Sequence, residues 1–273
     1  MFDLAGTLRD IKKKFGVESV SDFSGGYIKW PVFPFGIPSL DTMLGIGGIA
    51  RGRVIEIFGG EHVGKTSLCM RLAAVAQYYG IPVIWMDYEY AFDVNYAQVF
   101  GMSFDKNLMV FMQPTTLEEG FAAIGIALSN GFPGLVIIDS IPAMQPAEVL
   151  EKGLDQEARI AIRANKLSQG VAGILRPIGA TYASVVFINQ LRTKIGARTN
   201  PYTPEFEKYV TPGGLAMKFF TSMRLHMQRV HTESWEKKNK YSEIRVASIK
   251  NKLARPYMEC VLTLYPGVGF DIK

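Results

Sequence analysis

The residues whose types and spacing could do chemistry begin with one stretch, Gly59-Gly60-Glu61-His62-Val63-Gly64-Lys65-Thr66, followed by Ser67. It fits G-x-x-x-x-G-K-[ST], the phosphate-loop pattern. Gly59 and Gly64 let the backbone curl so that several amide N–H groups converge on one phosphate, and a helix start adds partial positive charge. Lys65 is expected to reach β- and γ-phosphates, and Thr66 to place its hydroxyl on Mg²⁺. Downstream, the apolar run Leu135-Val136-Ile137-Ile138 ends in Asp139, which would set a carboxylate beside the loop strand to hold the Mg²⁺ shell. A second apolar run ends in Asp87-Tyr88-Glu89. If ligand sits at the carboxyl edge of a parallel sheet, these carboxylates land near the γ-phosphate, where Glu89 could activate water. A strand-end acid solvated in a loop is the competing reading. The chemistry implied is binding and hydrolysis of a nucleoside triphosphate.

These residues need a particular scaffold, and the flanks supply it. Arg53–Phe58 reads as a buried strand, and the apolar stretch from Thr66 runs as a helix to Gly80. Strands then alternate with helices: a strand at 82–87, a short helix near Tyr96–Phe100, a strand at 108–112, and a helix capped by Thr116 with Glu119 and ending near Gly131. A strand at 135–139, a long helix over Ala158–Gly179 and a strand at 184–189 follow. Continuous apolar strands between helices indicate a parallel sheet covered on both faces. After a helix over Gly213–Thr221 come consecutive strands at about 223–231, 242–251 and 256–264. In front, Leu4, Leu8, Ile11 and Phe15 recur at helical spacing behind Asp3, and Val17–Gly26 reads as a linker. Tyr27–Phe35 suits an edge strand, and Ser39–Leu44 a short capped helix. The expected organisation is α/β: residues 1–26, a helix and linker for docking protomers, then a core over 27–273.

The 273 residues can bury a full core, with 48% hydrophobic and 20% charged residues. No apolar run reaches a membrane-spanning length of roughly 18 residues, and the amino terminus lacks the order of a signal peptide. Two cysteines, Cys69 and Cys260, make no disulfide framework and point to a reducing cytoplasm. A net charge of +5 favours a polyanionic partner, weakly.

Several motifs now fall together: Gly59–Thr66, Asp87-Tyr88-Glu89-Tyr90-Ala91-Phe92-Asp93, Asp139-Ser140, Phe187-Ile188-Asn189-Gln190-Leu191-Arg192, Thr211-Pro212-Gly213-Gly214 and Lys250-Asn251-Lys252. In order and spacing the chain resembles RecA-family recombinases over nearly its whole length. The resemblance implies a RecA-type P-loop ATPase core, with a mostly parallel central sheet flanked by helices and late antiparallel strands. It implies that Glu89 is the catalytic base, that Asp93 and Tyr96 contact adenine, and that Gln190 senses the γ-phosphate. Lys250 and Lys252 resemble paired lysines that reach a neighbouring protomer's ATP, although two lysines on a strand also read as a solvated face.

By the same resemblance, DNA loops fall at about 147–160 and 192–212. The second carries Arg192, Lys194, Arg198 and Lys208 among aromatic residues, suited to phosphates and stacked bases. Ile160 and Ile195 occupy the places of apolar wedges, Arg163 lies on the helix after the first loop, and Gly213 and Gly214 could offer N–H groups to a phosphate from a helix start. The chain departs from the family at Glu148, Glu151 and Asp155 in the first loop, at Ala172, and at Leu215 after the paired glycines. It ends at Lys273, where bacterial relatives continue into a small carboxy-terminal domain. The function implied is an ATP- and Mg²⁺-dependent enzyme that forms helical homo-oligomeric filaments on single-stranded DNA and pairs it with homologous double-stranded DNA, in a bacterial or phage-infected cytoplasm. The alternatives are an ATP-switched loader without strand exchange, or a RadA- or hexameric-helicase-like motor.

Overall fold

A computed structural model describes residues 3–15, 31–151, 156–193, 209–232 and 241–272. The chain divides into two units, Met1–Trp30 and Pro31–Lys273. In the first, α1 (Leu4–Phe15) opens as the sequence predicts, with Asp3 Oδ1 accepting the Gly6 N–H at 2.9 Å. Lys12, Lys13 and Lys14 fill its last turn, where cations favour the helix dipole. Leu4 and Ile11 of its apolar stripe are exposed.

The second unit starts with β1 (Val32–Phe33), α2 (Pro38–Met43) and β2 (Ile49–Ala50), the two strands pairing antiparallel. Of the strand expected over Tyr27–Phe35, only Val32–Phe33 forms among the described residues. Its short helix lacks a side-chain cap; Pro38 starts it, and Asp41 reaches back to accept the N–H groups of Phe35 and Gly36 at 2.8 and 2.9 Å.

The alternating part follows as β3 (Val54–Gly59), α3 (Lys65–Tyr78), β4 (Val83–Asp87), α4 (Val94–Val99), β5 (Met109–Met112), α5 (Leu117–Ser129) and β6 (Leu135–Asp139). Thr116 caps α5 by accepting the Glu119 N–H at 3.1 Å, while Glu119 reaches back to Thr115 N at 2.7 Å. Next come α6 (Ala147–Glu151), α7 (Gln156–Thr181), β7 (Ser184–Gln190), β8 (Arg192–Thr193), β9 (Tyr209–Val210) and α8 (Ala216–Phe220). The chain closes with β10 (Met223–Thr232), β11 (Ser242–Asn251), β12 (Met258–Tyr265) and β13 (Gly269–Phe270). The sequence pattern misses α6 and β13, which are short, and starts α8 too early. Gly213 and Gly214 have φ of 97° and 65°, outside the helical range, so the helix begins only at Ala216.

One sheet carries nine strands in the order β13-β12-β11-β10-β3-β7-β6-β4-β5. From β10 to β5 every pairing is parallel, and β11, β12 and β13 extend the sheet antiparallel. The apolar runs alternate between its faces, as the strand period of two requires. Ile55, Ile57, Leu135 and Ile137 join Leu68 and Leu72 of α3 in one core. Val54, Val136, Ile138 and Phe187 join Leu167 and Val171 of α7 in the other. Each such side chain contributes about 1.5–3 kcal/mol on burial, which fixes the register that aligns the strand ends. Among the described residues, no helix is long and apolar enough to cross a membrane.

Candidate active site

The carboxyl edge of the parallel strands opens on a cleft of about 450 Å³, and the 59–67 loop forms one wall. Sequence dictates the loop's path at two points. Gly59 passes so close to β10 that a Cβ would lie 2.2 Å from Met227 O, and Gly64 sits at φ +82° where α3 begins. His62 is also left-handed, at φ 53°, and its carbonyl accepts a hydrogen bond from Arg229 of β10. Lys65 is buried, with Nζ donating to Gly60 O at 2.6 Å. Burial lowers its pKa, while the nearby charges of Asp139, Glu89 and Glu61 hold the proton on. One turn into α3, the Cys69 thiol is fully buried, and burial raises it well above its ordinary pKa.

The acidic side of the cleft comes from three other strand ends. Thr66 Oγ1 donates to Asp139 Oδ2 at 2.9 Å. The sequence reading sets the Asp139 strand beside β3, but β7 lies between β6 and β3. Asp139 reaches Thr66 because α3 starts above the sheet edge, and the intervening strand delivers Gln190. Burial, then the charge of Glu89, push the Asp139 pKa up to about 7. Glu89 Oε1 accepts from Ser140 Oγ and, at 3.4 Å, from Gln190 Nε2. Asp87 does not join them. It is buried at the base of the 88–92 turn, accepting the N–H groups of Glu89 and Phe92 at 3.1 and 3.2 Å and the Gln113 amide at 3.2 Å.

The remaining wall is less polar. Tyr96 Oη shares a hydrogen bond with Ser67 Oγ at 2.9 Å, and Ile244, Leu264 and Pro266 face the cleft from the antiparallel extension. Asp93 is exposed and does not line the cleft. Its Oδ1 instead caps α4, accepting from Asn95 N and Tyr96 N at 2.8 and 3.1 Å. Sequence reasoning gave no role to Ser140 or Arg229. Ser140 had a signal, its place after a strand-end aspartate, whereas Arg229 enters only because β10 pairs with β3.

A buried cationic lysine, a hydroxyl–carboxylate pair and a third carboxylate around one cleft form a set for a polyphosphate and a hard cation. Oxygen donors from Thr66 and Asp139 fit Mg²⁺, which keeps water and phosphate ligands rather than a full protein cage. Among the described residues no three His, Cys, Asp or Glu side chains gather to hold a metal by themselves.

Other predicted residues lie away from the cleft. Lys250 lies away from the carboxyl edge: it pairs with Arg224, which pairs with Glu56 in the middle of β3, whereas Gly59 pairs with Met227 and Met227 with Val246. A bulge opposite Arg224/Leu225 takes up one residue of β11, so the offset is the three positions from Glu56 to Gly59, about 10 Å at about 3.3 Å per residue. Lys250 Nζ donates to Lys218 O and Phe219 O at the end of α8. Its pKa is lowered to about 8 by burial, then by the charges of Lys252 and Arg224. Lys252 is exposed. Ile160 on α7 is also exposed, but Arg163, one turn on, is buried and donates to Pro142 O at 3.1 Å. Gly213 and Gly214 form a turn before α8, not its first turn. Arg192 lies on β8; Lys194, Ile195 and Arg198 fall outside the described residues.

Comparison with known proteins gives one family. A model of the RecA N-terminal domain matches residues 3–271. The chain is 35% identical to Protein RecA of Desulfovibrio desulfuricans over 269 residues, 98% of this chain and 73% of the relative. It is 34% identical to Protein RecA of Streptomyces ambofaciens over 98% of this chain and 70% of that one, and 35% identical to Protein RecA of Aquifex pyrophilus over 96% and 73%. With the match running through both the phosphate loop and the antiparallel extension, the chain belongs to the RecA family.

Proposed function

We propose that this protein is a DNA-dependent ATPase that polymerises into helical filaments on single-stranded DNA and catalyses homologous pairing and strand exchange in recombination and repair. The observation that carries the ATPase reading is the meeting, in one cleft, of Lys65, the Thr66–Asp139 pair and the Ser140–Glu89–Gln190 cluster. In this reading the 59–67 backbone cradles the phosphates and Lys65 neutralises the β- and γ-oxygens. Mg²⁺, when held by Thr66 and Asp139, supplies further positive charge to those oxygens. Glu89 accepts the proton of the attacking water, with Ser140 orienting it, and Gln190 swings between Glu89 and the γ-phosphate. Tyr96, Ile244, Leu264 and Pro266 form the apolar wall for the base, and Asp93, which caps α4, is assigned with Tyr96 to contact the adenine.

DNA binding is assigned to Ile160, Arg192, Lys194, Ile195, Arg198, Gly213 and Gly214, with Arg163 close behind them. Residues 1–26 are assigned to docking a neighbouring protomer and 27–273 to the ATPase core. Lys250 and Lys252 are assigned to the neighbour's ATP, because the register sets Lys250 about 10 Å along the sheet from its own phosphate loop, with Lys252 further on. The compartment that fits two unpaired cysteines is a reducing cytoplasm.

A second reading, an ATP-switched assembly without strand exchange, is favoured by one feature: the Arg163 guanidinium is spent on Pro142 O inside the fold. One set of assays separates the two. Hydrolysis stimulated by single-stranded DNA, with filaments and joint-molecule formation, supports recombination. Filaments with hydrolysis but without joint molecules support the second reading, and DNA-independent hydrolysis without filaments contradicts both.

A further inference from the structure

Glu56 lies in the middle of β3, the strand leading into the phosphate loop, and is completely buried. A carboxylate there needs partners, and it has two. Oε2 accepts from Arg224 Nε of β10, and Oε1 accepts from Asn189 Nδ2 of β7 at 2.7 Å. Both partners continue onward to one segment. Asn189 Nδ2 also donates to Pro212 O at 2.9 Å, and Arg224 Nη2 donates to Thr211 Oγ1 at 3.3 Å. The Arg224 guanidinium packs 4.7 Å above the Phe58 ring, one residue before the loop. Asn189 Oδ1 takes the N–H of Gln190 at 2.9 Å, so the amide is bonded on both sides.

The placement gives this cluster a direction. Adjacent strand residues face opposite sides of a sheet. Gln190 faces the cleft and Asn189 the cluster; likewise Ile55 and Ile57 pack on the α3 side and Glu56 on the other. The cluster thus grips the backbone of the γ-phosphate sensor from behind. Its other end holds Thr211–Pro212, directly after β9 and at the carboxyl end of the 192–212 segment. Stability alone does not account for it, since well-packed apolar residues commonly replace a buried ion pair without loss; fixing one arrangement is its better-attested use.

We propose that Glu56, Asn189 and Arg224 are positioning residues that tie the base of the 192–212 segment to the backbone of Gln190, so that the nucleotide in the cleft sets affinity for DNA. This rests on the nucleotide-and-DNA reading above. By linkage, ATP must change DNA affinity by the same factor that DNA changes ATP affinity, and the cluster carries that factor.

The test uses the full chain and a fluorescent oligo-dT strand, with anisotropy measured alongside a non-hydrolysable ATP analogue and alongside ADP. The ratio of the two DNA affinities is the coupling. A wild-type ratio of one would contradict the function proposed above, before any variant is made. Given a wild-type ratio well above one, Asn189→Ala and the paired change Glu56→Met with Arg224→Met should lower it about tenfold. DNA-free affinity for the analogue should stay within about twofold, because none of these side chains lines the cleft. Thr211→Val should lower the ratio about threefold, and Thr211→Ser, which keeps the hydroxyl, should restore it. Thr211 stands at the edge of the cluster, so this pair decides the matter if the inner variants fail to fold. Folded variants that keep the wild-type ratio would overturn the proposal.

Discussion

The two ends of β3 present opposite chemistry. At its carboxyl end buried Lys65 stands among Thr66, Glu89 and Asp139 in a carboxylate-rich cleft. Toward its amino end lie Lys250 and Lys252, and Lys250 Nζ donates to the carbonyls of Lys218 and Phe219 at the end of α8. One end therefore sets its lysine among carboxylates, and the other carries positive charge without a phosphate loop. The rigid strands between them forbid their meeting within one protomer. A head-to-tail neighbour would join the two ends, and such a contact repeats without closing. If such a neighbour supplies Lys250 and Lys252 to this cleft, as proposed, each end carries part of the charge compensation and hydrolysis is tied to assembly.

The largest effect that could break this comparison is at the cleft itself. Lys65→Ala removes the cation facing the β- and γ-phosphates, and ATP binding by equilibrium dialysis should vanish, with hydrolysis down by at least about a thousandfold. Wild-type affinity would dismantle the site. Next, Glu89→Gln should bind ATP normally but turn over about 10²–10⁴ times more slowly, leaving filaments that persist in electron micrographs. Rapid turnover would remove Glu89 from its role as base. The far end should come third: Lys250→Ala with Lys252→Ala should fold and bind ATP, while DNA-stimulated hydrolysis falls about 10²- to 10³-fold, at or below the range for an arginine finger given in trans.

A pH profile sharpens the same contrast. Lys250 in the free protomer loses its proton near pH 8 rather than near 10.5. Its folded pKa is depressed, so its contribution to protomer stability is present above 10.5 and lost as pH falls through about 8. Its charge, which a phosphate needs, is present below about 8 and fades above it. DNA-stimulated hydrolysis should therefore decline on the alkaline side of pH 8, and Lys250→Arg should carry the activity to higher pH. Identical alkaline limbs would detach Lys250 from the reaction. The smallest effect belongs to Ser140→Ala, which removes one donor from Glu89 and should lower kcat about three- to tenfold with little change in KM.

Much of the cleft was legible because its chemistry is local. The phosphate loop needs only the spacing from Gly59 to Thr66 between a strand and a helix, and the apolar runs announce a sheet buried on both faces. What depends on strand order was not legible. Two apolar strands ending in acids look alike in sequence, yet Asp139 meets Thr66 whereas Asp87 is spent on the N–H groups of its own turn. Arg229 enters the cleft only through the β10–β3 pairing, some 167 residues from the carbonyl it holds. Arg163 shows the same limit on a helix: the sequence offers it to DNA, but it is buried and donates to Pro142 O in the 141–143 turn. Glu56 reads as an interruption in an apolar strand until Arg224 and Asn189 arrive beside it.

The most direct test of the two-ended account mixes two inactive proteins, Lys65→Ala and the Lys250→Ala, Lys252→Ala double variant, on single-stranded DNA. At interfaces where the intact lysines of the first face the intact phosphate loop of the second, one complete site forms. ATP hydrolysis should return to a fraction set by the frequency of such interfaces, greatest near an equal mixture. If the two proteins co-assemble on DNA, as judged by fluorescence transfer between labelled copies, and hydrolysis stays at the level of either alone, the claim that one protomer completes its neighbour's site is wrong.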